Sequence, residues 1–217
     1  PEAMKQLKAL VADVPYSNKK LASMDMEERY RLIISTILNA IGMRVEVEKM
    51  ISTGSRHLLY MRSGSEISGE TLKRGKGFKS YCDAHGVSCE TLNLGDDFDL
   101  VRGKTSVEEV LRNFIIFARK TGKMRYDGIY TSTDLLAKAL LEQMQFLGVE
   151  VPEEVQLVGH DGMQWMNSGK YLVSTIVQPV PDMARKAVEL LLKKIKGEEI
   201  ETLTILPVEF AEGGTTR

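Results

Sequence analysis

The sequence predicts an α/β fold in which helices cover both faces of parallel sheets. The first observation behind this is the stretch Tyr126–Gly162, which holds a strand, a helix and a second strand in succession. Such strand–helix–strand units build parallel sheets, because parallel neighbours need a long crossover. The second is that apolar runs and helical periodicities alternate along most of the 217 residues, which calls for helices on both faces of the sheet. The third is a composition in the ordinary globular range, 43% hydrophobic and 27% charged, which argues against disorder or a fibre.

In chain order, Glu2–Leu10 reads as a short amphipathic helix with Met4, Leu7 and Leu10 on one side. Val11–Tyr16 suits a strand entering a turn, and Lys19–Arg31 is a charged loop or exposed helix. Leu32-Ile33-Ile34 is a buried-strand candidate. Asn39–Thr53 reads as a helix with Met43, Val47, Met50 and Ile51 on one face, closed by Gly54. His57–Met61 is the next strand and Arg62–Ser68 a Gly/Ser loop. Glu70–His85 is helical and ends at Gly86, and Val87–Leu94 is a strand. Gly95–Gly103 is a polar loop carrying Phe98. Thr105 and Glu108 have capping-box spacing and open a helix through Val110, Phe114, Ile115 and Phe117.

In the central unit, Gly128–Tyr130 is a strand, and Asp134 stands where a helix starts, as a cap for free N–H groups. Leu135, Leu136, Ala139, Leu140, Met144 and Leu147 recur at helical spacing. Gly148 ends that helix and Pro152 bars its continuation. Val155, Leu157 and Val158 form the next strand, followed at once by His160-Asp161-Gly162. Met163–Tyr171 is a loop holding the only tryptophan, Trp165. Val173–Gln178 is a strand. Pro181–Lys196 is a helix with Ala184, Val188, Leu191, Leu192 and Ile195 on one stripe and lysines in its last turn. Leu203–Phe210 is a last strand with a polar tail.

Composition also narrows function. A formal net charge of −1 gives no overall basic footprint for nucleic acid. No run of 18 apolar residues marks a membrane span. The opening P-E-A-M-K-Q-L has no basic stretch followed by an apolar one, so no signal peptide is visible. Cys82 and Cys89 lack zinc-site spacing and read as reduced thiols of a cytoplasmic protein. Asp96, Asp97 and Asp99 lack EF-hand spacing. His57, His85 and His160 lie in separate segments without H-E-x-x-H. No G-x-S-x-G elbow or phosphate-binding G-x-x-x-x-G-K-[ST] loop is present. No catalytic or metal set emerges, so the reading is of a binding protein rather than an enzyme.

In open α/β sheets, ligands bind outside the carboxyl ends of the strands. Arg74, Phe98, Thr133 with Asp134, and Asp161 fall at or beyond such ends. Carboxylate and guanidinium groups make charge-assisted hydrogen bonds to hydroxyls, and an aromatic face packs the apolar side of a sugar or base. Each residue has a plainer role open to it. Asp134 caps its helix, Arg74 is a solvated helix residue between Lys73 and Lys76, and Phe98 is core.

Several motifs, in order, resemble one family. N-A-I-G at Asn39–Gly42 is similar to D-N-x-x-G, with Leu38 in place of the Asp. S-T-G-S-R-H-L-L-Y-M at Ser52–Met61 matches L-G-H-R-R-I-A-F-I, and R-G-K-G-F at Arg74–Phe78 matches R-x-x-G-F. G-D-D-F with Gly103 beyond it matches the family's aromatic and following glycine. S-T-D-L-L-A at Ser132–Ala137 resembles S-N-D-x-x-A. V-P-E-E-V-Q-L-V-G-H-D-G resembles V-P-x-D-V-x-V-V-G-F-D-D. S-T-I-V-Q-P at Ser174–Pro179 resembles T-T-I-x-Q-P, and L-P-V-E-F with the closing G-T-T-R resembles the family's terminus. Singly each is weak; together and in order they are specific. The chain resembles the effector-binding region of lactose-repressor-type (LacI/GalR) transcriptional regulators.

That resemblance implies two Rossmann-like subdomains of periplasmic-binding-protein type I with a ligand cleft between them. Residues 1–53 with 177–200 are the expected partial amino-terminal subdomain, and 54–176 with 201–217 the carboxyl-terminal one. It implies Arg74, Phe98, Thr133 and Asp161 as contacts to a small effector, a sugar or related molecule, with Asp134 at the same site positioning the loop. Thr133 in place of Asn and Gly162 in place of Asp are departures in the site itself. It further implies a cytoplasmic homodimer without cofactor or membrane partner. Operator DNA is bound only through a DNA-binding domain absent from this chain, and the start of the amino-terminal subdomain is expected to be missing as well. A sugar-binding protein of a transporter, which shares the fold, is the alternative.

Overall fold

The computed structural model describes residues 47–63, 69–95, 106–120, 122–163, 166–167, 170–200, 204 and 206–217. The elements expected before residue 47, and Phe98 and Trp165, lie outside the described residues. Chain order is α1 (residues 47–52), β1 His57–Arg62, α2 Gly69–Ala84, β2 Ser88–Asn93, α3 Val107–Ala118 and β3 Gly128–Thr131. Then follow α4 Asp134–Phe146, β4 Gln156–Asp161, β5 Met166–Asn167, β6 Lys170–Tyr171, β7 Ser174–Val177, α5 Val180–Ile195 and β8 Glu209–Ala211.

One six-stranded sheet runs β2-β1-β3-β4-β7-β8. Its first five strands are parallel; β8 is antiparallel to β7. The alternation of side chains along a strand sends Leu59, Met61, Ile129 and Leu157 to one face, under α3 and α4. Leu58, Tyr60, Tyr130 and Val158 go to the other, against Phe78 and Cys82 of α2. In-register pairing of Leu59 with Ile129, and of Ile129 with Leu157, keeps each face continuous. The result is the expected three-layer α/β arrangement.

Local chemistry sets the ends. Asp127 accepts from the backbone N–H of Arg56 and His57, fixing the start of β1 beside β3. Buried Gln156 at the start of β4 accepts from Thr53 Oγ1 (2.9 Å) and Arg217 N (3.0 Å) and donates to Ser55 Oγ (2.9 Å). Gly148 at φ 66° closes α4 as expected.

The structure corrects several expectations. The cap of α3 is Ser106, whose Oγ accepts from Glu109 N, one residue beyond the expected Thr105. Phe117, on the same helix, is 61% exposed. Met166–Asn167 and Lys170–Tyr171 pair as a small hairpin inside the expected loop. The last strand is only Glu209–Ala211. In the polar tail Thr215 and Thr216 are buried: Thr215 Oγ1 accepts from Ser174 N (2.9 Å) and donates to Leu157 O (2.6 Å), which satisfies backbone groups between β4 and β7. Val47 and Met50 of α1 are fully buried in the same apolar layer as Leu58 and Tyr60 of β1. On α5, by contrast, Val188, Leu191, Leu192 and Ile195 are all more than half exposed among the described residues.

Candidate functional site

The chain leaves β1 toward the edge strand β2, then crosses back to β3 on the other side of β1. A crevice opens outside the carboxyl ends of strands at such a reversal. The residues gathered there come from the end of β1, from α2, and from the loops after β3, β4 and β7.

Arg74, on the second turn of α2, is 9% exposed. Its Nη1 donates to the carbonyl of Ser132, just past β3, at 2.6 Å. The side chain is thus a buried group directed to the carboxyl end of β3, not a solvated one. Thr133 follows, and its Oγ1 accepts from Leu136 N at 3.2 Å. The helix cap is therefore Thr133, not Asp134 as its acidic side chain had suggested. Thr133 has the extended backbone that a cap requires, whereas Asp134 is already helical.

Asp134 is 1% exposed. Its Oδ2 accepts from Met163 N (2.6 Å) and its Oδ1 from Thr175 Oγ1 (2.5 Å). One carboxylate therefore ties the start of α4 to the loop after β4 and to β7. Burial raises its pKa, and the bonds from Thr175 and from the Met163 and Gly162 backbone oppose that rise. Gly159 makes the approach possible: a Cβ there would lie 2.1 Å from Asp134 Oδ1.

Asp161 ends β4 with φ 118°, a conformation that L side chains rarely adopt. Holding it there costs on the order of 1–3 kcal/mol, and such strain clusters at functional sites. Gln178 Nε2 donates to Asp161 Oδ1 at 3.2 Å. The carboxyl is pushed up to about 6, chiefly by burial. Arg74 opposes the rise, Asp134 adds to it, and the Gln178 bond opposes it. Gly162 follows at φ 78°, where a Cβ would meet Val177 Cα at 2.8 Å. The departure from Asp at this position thus has a local steric reason.

The structure brings Arg74, Thr133, Asp134 and Asp161 to one end of the sheet, while Phe98 lies outside the described residues. Three further residues lie at the same end of the sheet, of which Arg62 and Gln178 were not singled out in the sequence. Arg62, 4% exposed, ends β1. Ser132 is 1% exposed, and its Oγ has no hydrogen-bond partner among the described residues. Gln178 partners Asp161. A polar residue closing an apolar strand was the available signal for Arg62 and Gln178. Among the described residues no group of three or more His, Cys, Asp or Glu could hold a metal, and no helix is long and apolar enough to cross a membrane.

A parallel α/β sheet with polar side chains gathered at the carboxyl ends of its strands is the arrangement of ligand-binding folds. Residues 47–216 match the periplasmic binding protein-like domain, and the chain belongs to that family. Within it, the similar proteins are regulators rather than transporter components, in line with the lactose-repressor-type motifs. The chain is 36% identical over 179 residues to the sucrose operon repressor of Pediococcus pentosaceus, covering 82% of this chain and 52% of that protein. It is 25% identical over 175 residues to that of Streptococcus mutans, covering 81% and 50%. A solved periplasmic binding protein/LacI transcriptional regulator from Alkaliphilus metalliredigens, in complex with D-xylulofuranose, superposes with a TM-score of 0.64. Identity there is 25%, over 82% of this chain and 64% of that one. The chain spans about half the length of the curated relatives it matches.

Proposed function

We propose that this chain is the effector-binding part of a sugar-responsive transcriptional repressor and has no enzymatic activity of its own. The observation that carries the proposal is Asp161, held in a strained conformation at the carboxyl end of β4 beside Gln178, with buried Arg74 acting on it electrostatically. Asp161 accepts from sugar hydroxyls and Arg74 donates to them. Thr133, its oxygen engaged as a cap, offers its hydroxyl hydrogen, and Phe98 packs the apolar face of the ring. Asp134 acts from behind by holding Met163 and Thr175.

Residues 177–200, with the uncovered apolar stripe of α5, belong to a second subdomain shared with the amino-terminal stretch. Effector bound between the two bodies favours a closed arrangement in proportion to its differential affinity for that state. In a cytoplasmic homodimer this changes the spacing of DNA-reading domains outside these residues, and with it operator binding.

The test is a thermal-shift series with sucrose, D-fructose, D-ribose, D-xylulose and their phosphates, repeated on Asp161→Ala. A ligand at 100 times its Kd stabilises by about 2.7 kcal/mol. A shift present in the wild type and lost in the variant is expected. An equal shift in both would overturn the assignment of the site.

A further inference from the structure

One element of the sheet carries a buried imidazole that has no part in the function proposed above. His160 sits on β4 immediately before Asp161, 2% exposed, where the resembling pattern carries Phe. Its side chain faces the layer of Tyr60, Tyr130 and Val158, opposite in direction to its neighbour's. An imidazole there brings two ring nitrogens into an apolar layer. Nδ1 lies 3.0 Å from the Tyr130 hydroxyl.

The Tyr130 ring in turn stacks on Tyr60 at 5.1 Å and lies 6.1 Å from Phe78. The Tyr60 hydroxyl donates to Thr71 O at 3.0 Å. A Cβ on Gly75 would lie 3.0 Å from the Tyr60 ring, so α2 rests directly on that ring. Thr71, Gly75 and Phe78 all belong to α2 and flank Arg74. The turn that carries Arg74 is therefore seated on the stacked Tyr60 and Tyr130 rings, and His160, its ring tilted 58° from that of Tyr130, holds the far end of this pair through the Tyr130 hydroxyl. Burial, then the charge of Arg74, hold the imidazole neutral, at about 3. A neutral ring is the form compatible with a buried guanidinium beside it.

We propose that the Tyr130–His160 pair is a positioning device of the cleft, fixing the height and direction of the Arg74 guanidinium relative to Asp161. Its meaning for effector binding rests on the function proposed above; the placement of Arg74 does not. Packing by the aromatic rings alone would survive removal of the Tyr130 hydroxyl. Positioning through the hydrogen bond would not.

The experiment uses the full 217-residue chain labelled with 15N, following the Arg74 Nε–H resonance, which is assigned by its loss in Arg74→Lys. Tyr130→Phe keeps the ring and removes the hydroxyl. It should move the Arg74 signal and speed its solvent exchange about tenfold, the scale of losing one buried hydrogen bond. His160→Phe should do the same, and His160→Asn, which keeps a polar atom near the place of Nδ1, should restore the signal. An unmoved Arg74 signal in folded Tyr130→Phe overturns the proposal. Titration with sucrose, D-fructose and D-ribose supplies the functional arm. A sugar that binds the wild type should bind Tyr130→Phe about tenfold more weakly. If none of the three binds the wild type, the sugar reading loses its support, while the Arg74 signal still decides the positioning claim.

Discussion

Replacing Asp161 by Asn removes a titrating group at almost constant volume, and the structure sets the consequence for stability against pH. In the folded chain the Asp161 carboxyl titrates at about 6 against an ordinary 3.8. Its contribution to stability is complete below 3.8 and is lost as pH rises through 6, because the folded state binds the proton more tightly. His160 acts in the opposite sense. It is held down to about 3 from 6.5, so the unfolded chain takes up a proton that the folded chain refuses, and stability falls with falling pH. Between pH 6 and pH 4 the two slopes oppose each other, each up to about 1.36 kcal/mol per pH unit. In Asp161→Asn the slope of His160 stands alone. Over two pH units the difference would reach about 2.7 kcal/mol, and solvent screening of the partly exposed carboxyl trims it to about 2 kcal/mol. Urea unfolding of both proteins at pH 4, 5, 6 and 7 measures this directly, since carboxylates not coupled to Asp161 cancel in the difference. The variant should lose about 2 kcal/mol relative to the wild type on going from pH 6 to pH 4. Parallel pH profiles would refute the assignment of Asp161 as a half-buried, proton-retaining carboxyl.

Gly159→Ala places a methyl 2.1 Å from Asp134 Oδ1. It should cost about 2–3 kcal/mol in urea melts, and distinctly less in an Asp134→Ala background, because the clash is with that carboxylate. Asp134→Ala leaves Met163 N and Thr175 Oγ1 without their carboxylate acceptor; a loss of about 2–4 kcal/mol is expected, with faster amide exchange at Met163. Gly162→Asp, which installs the residue of the resembling pattern, meets φ 78° and Val177 Cα at 2.8 Å; destabilisation by about 2 kcal/mol, read as a lower melting temperature, is expected. Gln156→Ala removes side-chain bonds to Thr53, Ser55 and Arg217. It should cost about 2 kcal/mol and speed exchange in the terminal Gly213–Arg217 segment.

Much of the fold was legible in the sequence, since apolar periodicity and glycine stops belong to the local chain. The strands at His57, Gly128 and Gln156, the helices between them and the break at Gly148 follow from a few neighbouring residues each. Capping was legible only to within one residue. At Thr133-Asp134 and Thr105-Ser106 two suitable side chains stand side by side, and backbone geometry chooses between them. The polar residues after β3 and β4, Thr133 and Asp161, were readable because they follow apolar strands; their hydrogen-bond partners were not.

The sequence by itself determined the elements, their two apolar faces and the end of the sheet where polar groups gather. The tertiary structure alone decided their partners. Asp134 is sealed by Met163 and Thr175, 29 and 41 residues away. Gln178 meets Asp161 across adjoining strands. Thr215 is buried in the polar tail because it satisfies backbone groups of Ser174 and Leu157. The positive φ of Asp161 was likewise not read from the sequence. Hydrophobic pattern is a property of neighbours along the chain. Hydrogen bonding and desolvation depend on which atoms the sheet order brings within about 3 Å of one another, and a sequence read locally does not contain that distance.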